Sequence, residues 1–239
     1  MYIRNYQLKG KVNKLRRVAL VADLHDRDGE AVLSALASHR PDLIAIAGDL
    51  TNNSLRYAGQ TKAFLSRCAD IAPTYYSLGN HEYNFTQAGQ QYVAESGARL
   101  LLDEFVFQDE LCIGALRSRS VYRPFPKGRS TAPPHCGWLD EFQRQPGYKI
   151  LISHHPEYYE PYLRERDIDL VLSGHAHGGQ VRLLGRGLFS PGQGILPRYT
   201  RGLYDGRLVV SAGLANTAKR IPRLFNPTEL VFVDIEPEN

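Results

Sequence analysis

Five short apolar runs in this sequence each end in residue types that bind metal ions. Residues 18–22 lead into Asp23-Leu24-His25, and residues 43–47 into Gly48-Asp49. Residues 74–78 precede Gly79-Asn80-His81-Glu82, and residues 149–153 precede His154-His155-Pro156. Residues 169–173 lead into Gly174-His175-Ala176-His177-Gly178-Gly179. One histidine after a strand is usually a hydrogen-bonded structural residue. Five strand ends delivering Asp, Asn and His need a common cause. In open α/β sheets, loops at the carboxyl ends of strands converge on one cleft.

The donor set is carboxylate oxygen and imidazole nitrogen without thiolate, which suits manganese, iron or zinc. On an extended segment the two-residue spacing of Asp23 and His25 points both side chains to one side. His175 and His177 repeat that spacing. Asp49 carries two carboxylate oxygens and could bridge two ions. Gly48, Gly79, Gly174, Gly178 and Gly179 permit tight turns and close approach. Two ions ~3.5–4 Å apart form a clamp for in-line displacement at phosphorus, with a bridging water ionised near neutral pH. His81 follows Asn80 directly and is the natural general acid for the leaving oxygen.

These residues need elements to hold them. The runs are rich in Val, Ile and Leu and bounded by Gly, Pro, Asp or Asn, as buried strands are. Further runs at 111–115, 208–212 and 230–235 bring the expected strands to eight. Helical spacing appears over 29–39, 55–69, 86–96 and 138–145, and more weakly over 161–166. Alternating strands and helices predict an α/β protein with buried sheets. Residues 117–134 (rich in Arg, Ser and Pro) and 185–205 (rich in Gly) read as long loops, which are often functional in compact domains. Arg117, Arg119 and Arg123 in the first loop are candidate substrate contacts that would wall the cleft. No repeat or domain boundary is evident, so 1–239 is expected to be one domain.

Composition excludes several classes. The 239 residues are 43% hydrophobic and 23% charged, ordinary for a globular protein. The net charge of +4 is too mild for a dedicated polyanion binder. Three cysteines without a C-x-x-C pair argue against a disulfide framework or a cysteine zinc site. No apolar stretch approaches the ~18 residues needed to span a bilayer. The basic N-terminal segment has no following apolar core, so no secretory signal is expected and the chain reads as cytoplasmic. That segment lacks the apolar face of a stable interfacial helix. A solvated strand edge or tail is expected there, with peripheral contact to anionic lipid as the alternative.

Together the five motifs resemble the calcineurin-like metallophosphoesterases. D-x-H, G-D, G-N-H-E, H-H-P and G-H-x-H occur in that family's order across roughly two thirds of the chain. The stretches SGHAHGGQV, RYTRGLY and RIPRLFNPTEL are similar to the bacterial YkuE/YaeI-type subgroup. The resemblance implies a four-layer α-β-β-α sandwich with two central mixed sheets. It implies Asp23, His25, Asp49 and His177 on a first metal, and Asp49, Asn80, His154 and His175 on a second, with His81 catalytic. It also implies a phosphodiester or phosphomonoester substrate: a phospholipid, a nucleotide or a lipid-linked nucleotide sugar. Glu82 stands where many members have Asp, which bears on how His81 is oriented. Asp28 is expected to cap the following helix. His155 reads either as a substrate contact or as an orienting neighbour. The competing readings are a scaffold that has lost its chemistry, and a nuclease. A scaffold would usually have lost ligands, and all seven positions here keep suitable residue types. A nuclease would need a basic groove with stacking aromatics, which Arg117, Arg119, Tyr122, Arg123 and Phe125 offer only weakly.

Overall fold

A computed structural model describes residues 1–52, 58–82, 87–119, 132–215 and 222–238. Two six-stranded mixed sheets lie face to face. The first has the order β1-β16-β2-β3-β4-β5 and the second β14-β15-β9-β8-β7-β6. The first comprises β1 (Tyr2–Gly10), β2 (Arg16–Val21), β3 (Leu43–Ala47), β4 (Thr74–Ser77), β5 (Arg99–Leu100) and β16 (Glu229–Pro237). The second comprises β6 (Glu104–Gln108), β7 (Leu111–Leu116), β8 (Tyr148–Ser153), β9 (Leu170–Ser173), β14 (Gly202–Tyr204) and β15 (Leu208–Val210). Two short ribbons lie outside the sheets. One pairs β10 (Arg182–Leu183) with β11 (Arg186–Gly187), the other β12 (Phe189–Ser190) with β13 (Gly194–Ile195).

The period-2 alternation of side chains builds the layers. Val18, Leu20, Leu43 and Ala45 of the first sheet meet Ile150, Ile152 and Leu172 of the second in one buried cluster. Ala19, Val21, Ile44 and Ile46 face the other way. They pack with Val32, Leu33 and Leu36 of α1 (Glu30–His39), Phe64 and Leu65 of α2 (Ala58–Ile71), and Val93 of α3 (Gln87–Glu95). Behind the second sheet, Leu151 and Val171 pack with Leu139 and Phe142 of α4 (Leu139–Phe142) and with Tyr158, Tyr159 and Leu163. The expected four-layer sandwich is therefore present. Strands buried on both faces explain why they read as continuous apolar runs.

All eight expected strands form, with every end within two residues of the expected one. The N-terminal segment forms the edge strand β1, paired in parallel with β16 from Tyr2↔Glu229 to Gly10↔Pro237. Gly29 rather than Asp28 occupies the N-cap position of α1, and Asp28, one residue earlier, accepts the backbone N–H of Glu30 through Oδ1 (3.0 Å). The expected helix at 161–166 instead begins earlier, as a 3₁₀ turn (Pro156–Tyr158) running into a π-helical turn (Tyr159–Leu163). The stretch 185–205 is not structureless, since it carries β11 to β14. β5 and β6 were not anticipated. The first is two residues long and the second has an irregular burial pattern, so neither makes an apolar run. No helix among the described residues is long and apolar enough to cross a membrane.

Candidate metal centre

The parallel strands β2, β3 and β4 of one sheet and β8 and β9 of the other end at the same edge of the sandwich, and all five motifs meet there. Backbone hydrogen bonds tie the turns together. Asp23 N–H donates to Gly48 O (3.1 Å), His25 N–H to Asp49 O (3.1 Å) and Gly174 N–H to His154 O (3.1 Å). Two links cross between the sheets. His154 Nδ1 donates to Ala47 O (2.7 Å), and the Asp23 carboxylate accepts the N–H of His175 (3.1 and 3.2 Å).

Asp23, His25 and His177 bring one donor atom each within 4.8 Å of one another, as do Asp49, His154 and His175. His25, Asp49 and His81 form a third group between them. Asp49 is the shared member: Oδ2 lies 3.3 Å from His154 Nε2 and 3.8 Å from His25 Nε2. Asn80 Oδ1 approaches His154 Nε2 at 3.1 Å. His177 Nε2 and His25 Nε2 lie 3.8 and 3.9 Å from Asp23 Oδ1. The structure thus gathers all seven expected ligands and His81. His81 Nε2 is 4.0 Å from Asp49 Oδ2, and its side chain keeps 24% exposure while Asp49 keeps 1%.

The backbone here is held in unusual conformations. Asp23, His25, Asp49, His175 and His177 all have positive φ, from 46° to 64°. Such residues cost of order 1–3 kcal/mol each and persist where the surroundings over-determine them. Gly79 packs so closely on Asp49 that an added Cβ would sit 2.2 Å from Oδ1. Gly48, at φ +79°, leaves no space for a Cβ between Gly79 N (2.5 Å) and His154 Nδ1 (2.7 Å).

These residues fit metal ions. His25 Nδ1 donates to Asn52 Oδ1 (3.0 Å), and Asn52 Nδ2 returns a bond to His25 O (2.9 Å). His25 Nε2 is left buried with no hydrogen-bond partner among the described residues. The Nδ1 bonds of His25 and His154 fix the tautomer that presents Nε2 to the centre, as ligating histidines require. Burial drives His25 down to about 4 and His175 and His177 well below the usual range, so these imidazoles are neutral. Burial also pushes the Asp23 carboxyl up to about 7, although His154 opposes it. His154 behaves otherwise. Burial disfavours its charge, but Asp49 and Asp23 outweigh it and hold His154 up at about 10.

Glu82 is the residue whose role the sequence obscured. Its Oε2 accepts the N–H groups of Gly79 (2.6 Å) and Asp49 (2.9 Å). Its Oε1 accepts those of Leu50 (2.7 Å) and Thr51 (3.2 Å) and the hydroxyl of Tyr76 (2.7 Å). One buried side chain thus clamps the turn that carries Asp49 to the turn that carries Asn80. His81 is tied to the same carboxylate, that of Asp49, through its backbone N–H, which donates to Asp49 Oδ1 (2.8 Å).

His155 is 1% exposed. Its Nε2 meets Ser118 Oγ (2.6 Å) and its Nδ1 meets Glu157 Oε1 (3.2 Å), so both ring nitrogens are engaged within the protein. Glu157 Oε1 is also 3.6 Å from His175 Nε2. Arg117 is half-exposed, and Asp103 holds it through its Nε (3.0 Å) and backbone N–H (3.1 Å). Arg119 is exposed. The start of this segment does reach the site edge, since Ser118 N–H donates to Leu78 O (2.9 Å) just before Gly79. Arg123, Tyr122 and Phe125 lie outside the described residues. Asn52 and Glu157 stand in no motif, so sequence reasoning missed both.

Comparison with known proteins agrees with this geometry. The profile of the calcineurin-like phosphoesterases matches residues 16–179. An uncharacterized metallophosphoesterase of Helicobacter pylori is 24% identical over 241 residues, covering 96% of this chain and 62% of that protein. One from Campylobacter jejuni is 27% identical, with 98% and 61% covered. The chain thus spans about three fifths of the length of these relatives. Phosphodiesterase YaeI of Escherichia coli is 28% identical over 156 residues, covering 60% of this chain and 52% of that protein. Among solved structures, a dimetal phosphatase from Danio rerio has the same fold. Its TM-score is 0.50 at 12% identity, with 84% of this chain and 88% of that one covered.

Proposed function

Because the chain belongs to the calcineurin-like phosphoesterase family, we propose that it hydrolyses a phosphate ester at a centre built for two transition-metal ions. The observation that carries this reading is Asp49, a buried carboxylate whose Oδ2 lies within 4 Å of a buried histidine of each donor group, His25 (3.8 Å) and His154 (3.3 Å). Asp23, His25 and His177 would hold one ion and Asn80, His154 and His175 the other, with Asp49 between them. Manganese suits these donors, as do iron and zinc. When bound, such ions supply an activated water and neutralise charge on phosphoryl oxygens.

The chain's own residues do the rest. His81, half-buried where Asp49 is fully buried, passes a proton to the leaving oxygen. Glu82 fixes Asp49 relative to Asn80. His155, with both nitrogens engaged, steadies His175 and the edge at Ser118. A phosphodiester is the first choice of substrate, since the YaeI relative is named as a phosphodiesterase. Phosphomonoesters are the second, and nucleotide, phospholipid and lipid-linked nucleotide sugar headgroups fit either. We take 1–239 as one domain, because β1 and β16 pair the two ends of the chain in one sheet. The three cysteines are unpaired, which supports a reducing compartment such as the cytoplasm.

The test pairs metal analysis with turnover of bis-p-nitrophenyl phosphate and p-nitrophenyl phosphate. About two ions per chain, with turnover lost in both Asp49→Ala and His81→Ala, is the expected result. Absence of both metal and turnover would leave the scaffold reading instead. Full turnover in Asp49→Ala would remove the shared carboxylate from the mechanism.

A further inference from the structure

The apolar side chains that the fold leaves in solvent are not scattered. Of the ten large ones exposed among the described residues, six lie in three neighbouring turns: Leu183, Leu184, Ile195, Leu196, Leu224 and Phe225. The turns form one hydrogen-bonded ledge. Arg182 N–H donates to Leu224 O (3.0 Å), Leu188 N–H to Val181 O (2.9 Å), and Leu196 N–H to Leu188 O (3.0 Å). Exposure reaches 96% at Leu184, 82% at Phe225 and 81% at Ile195, values found at tips rather than on flat faces.

The backbone beneath these tips is costly. Leu184, Leu196 and Phe225 have φ of 48°, 53° and 53°. They are the apolar members of the positive-φ non-glycine residues described. Glycine or asparagine is the inexpensive choice at such positions, and a bulky apolar residue is an outlier. Folding therefore gains nothing from these side chains, either by burial or by local conformation. Their identity has to be explained by what they touch outside the chain.

The surrounding charge says what that is. Residues 178–204 contain Arg182, Arg186, Arg198 and Arg201 and no Asp or Glu. Arg186 is exposed, and Arg198 is exposed with its guanidinium 3.0 Å from Glu160, while Arg182 and Arg223 turn inward onto backbone carbonyls. Residues 222–228 add Arg223 and again no acid. Protruding apolar tips flanked by the exposed arginines Arg186 and Arg198 match an anionic bilayer, where tips enter the acyl boundary and arginines meet headgroups. A second copy of the chain would bring like charge against like.

We propose that this ledge docks the protein on an anionic lipid surface. The ledge is fastened directly to the candidate metal centre. Leu188 N–H donates to Gly179 O (3.1 Å), and Asn226, next to Phe225, donates through Nδ2 to His177 O (2.7 Å). A docked chain thus holds its donor cluster close to the ledge, through the backbone of His177 and Gly179. The docking does not depend on catalysis and is read separately from it.

The experiment is vesicle flotation with phosphatidylcholine alone and with phosphatidylcholine plus phosphatidylglycerol. It compares the unaltered chain with the triple variant Leu184→Asn, Leu196→Asn and Phe225→Asn. Asparagine tolerates positive φ, so the variant should melt at the same temperature or higher. The expected result is binding that favours the anionic vesicles and falls at least about tenfold in the variant. Failure of the unaltered chain to float with either vesicle overturns the proposal, as does a variant that floats equally well. Sedimentation velocity adds an independent outcome. A dimer that dissociates in the variant, without vesicle binding, would assign the ledge to a second copy and also overturn it.

Discussion

Replacing Glu82 with Gln tests the reasoning about how the site is assembled. The side chain keeps its shape, but one acceptor oxygen becomes an NH₂ donor. All five partners of Glu82 are donors: four backbone N–H groups and the Tyr76 hydroxyl. If the amide nitrogen takes the Oε2 position, Asp49 N–H and Gly79 N–H lose their acceptor. If it takes the Oε1 position, Tyr76 can turn its hydroxyl to accept, but Leu50 N–H and Thr51 N–H are left facing a donor. Either choice strands two buried donors at about 1–3 kcal/mol each. Part of that is offset, because burial and the neighbouring Asp49 already push the Glu82 carboxyl up to about 7. The expected loss is therefore about 2–4 kcal/mol, measured by urea unfolding of metal-stripped protein at neutral pH. Tyr76→Phe removes one donor and leaves the four N–H bonds, so it should lose only about 1–2 kcal/mol. A Glu82→Gln midpoint equal to that of the unaltered chain, or a larger loss in Tyr76→Phe, would refute the clamp.

Other outcomes follow from the same contacts. Asn52→Ala frees the His25 ring, and manganese affinity should fall about 10- to 100-fold by calorimetric titration. Unchanged affinity would mean that Asn52 does not orient the ligand. Gly48→Ala places a Cβ against Gly79 N and His154 Nδ1 at positive φ. It should cost about 2–5 kcal/mol in urea, and a loss below that range would show that the turn can relax. Arg16 holds the Glu110 carboxyl at about 2, below its ordinary 4.5. A lowered carboxyl pKa contributes stability above pH 4.5, and that contribution is lost as the pH falls toward 2. Glu110 keeps 14% exposure, so solvent screening reduces its share to about 1–2 kcal/mol. Glu110→Gln should be less stable than the unaltered chain by that amount at pH 7, with the gap closing near pH 2. A gap that persists at low pH would assign the loss to packing instead.

How much of the site could be read in advance depends on how each residue acts. The ligands stood out because the chemistry of metals restricts residue type and because strand ends repeat. Asp23, His25, Asn80, His154, His175 and His177 each follow an apolar run, and the structure places them together around Asp49. Layering was equally legible, since strands buried on both faces must be apolar at successive positions, as in Leu43–Ala47. Residues that act through the backbone left no such mark. Glu82 works by accepting N–H groups, which every residue but proline carries, so nothing in the sequence of residues 49–51 announces its partners. Asn52 and Glu157 fix histidines across contacts that only the folded chain creates. The positive φ values at Asp23, His25 and Asp49 follow from chain reversal at strand ends and are invisible in residue type. The ledge lies between these cases. Its leucines were present in the sequence, but an apolar residue in a Gly-rich stretch looks like ordinary core until burial is known. Only exposure together with backbone strain separates Leu184 and Phe225 from the buried leucines of the sheets. The site was therefore legible in its chemistry and illegible in its support. That is why the most informative substitution is not a ligand but Glu82, the buried carboxylate that holds two of the ligand turns in place.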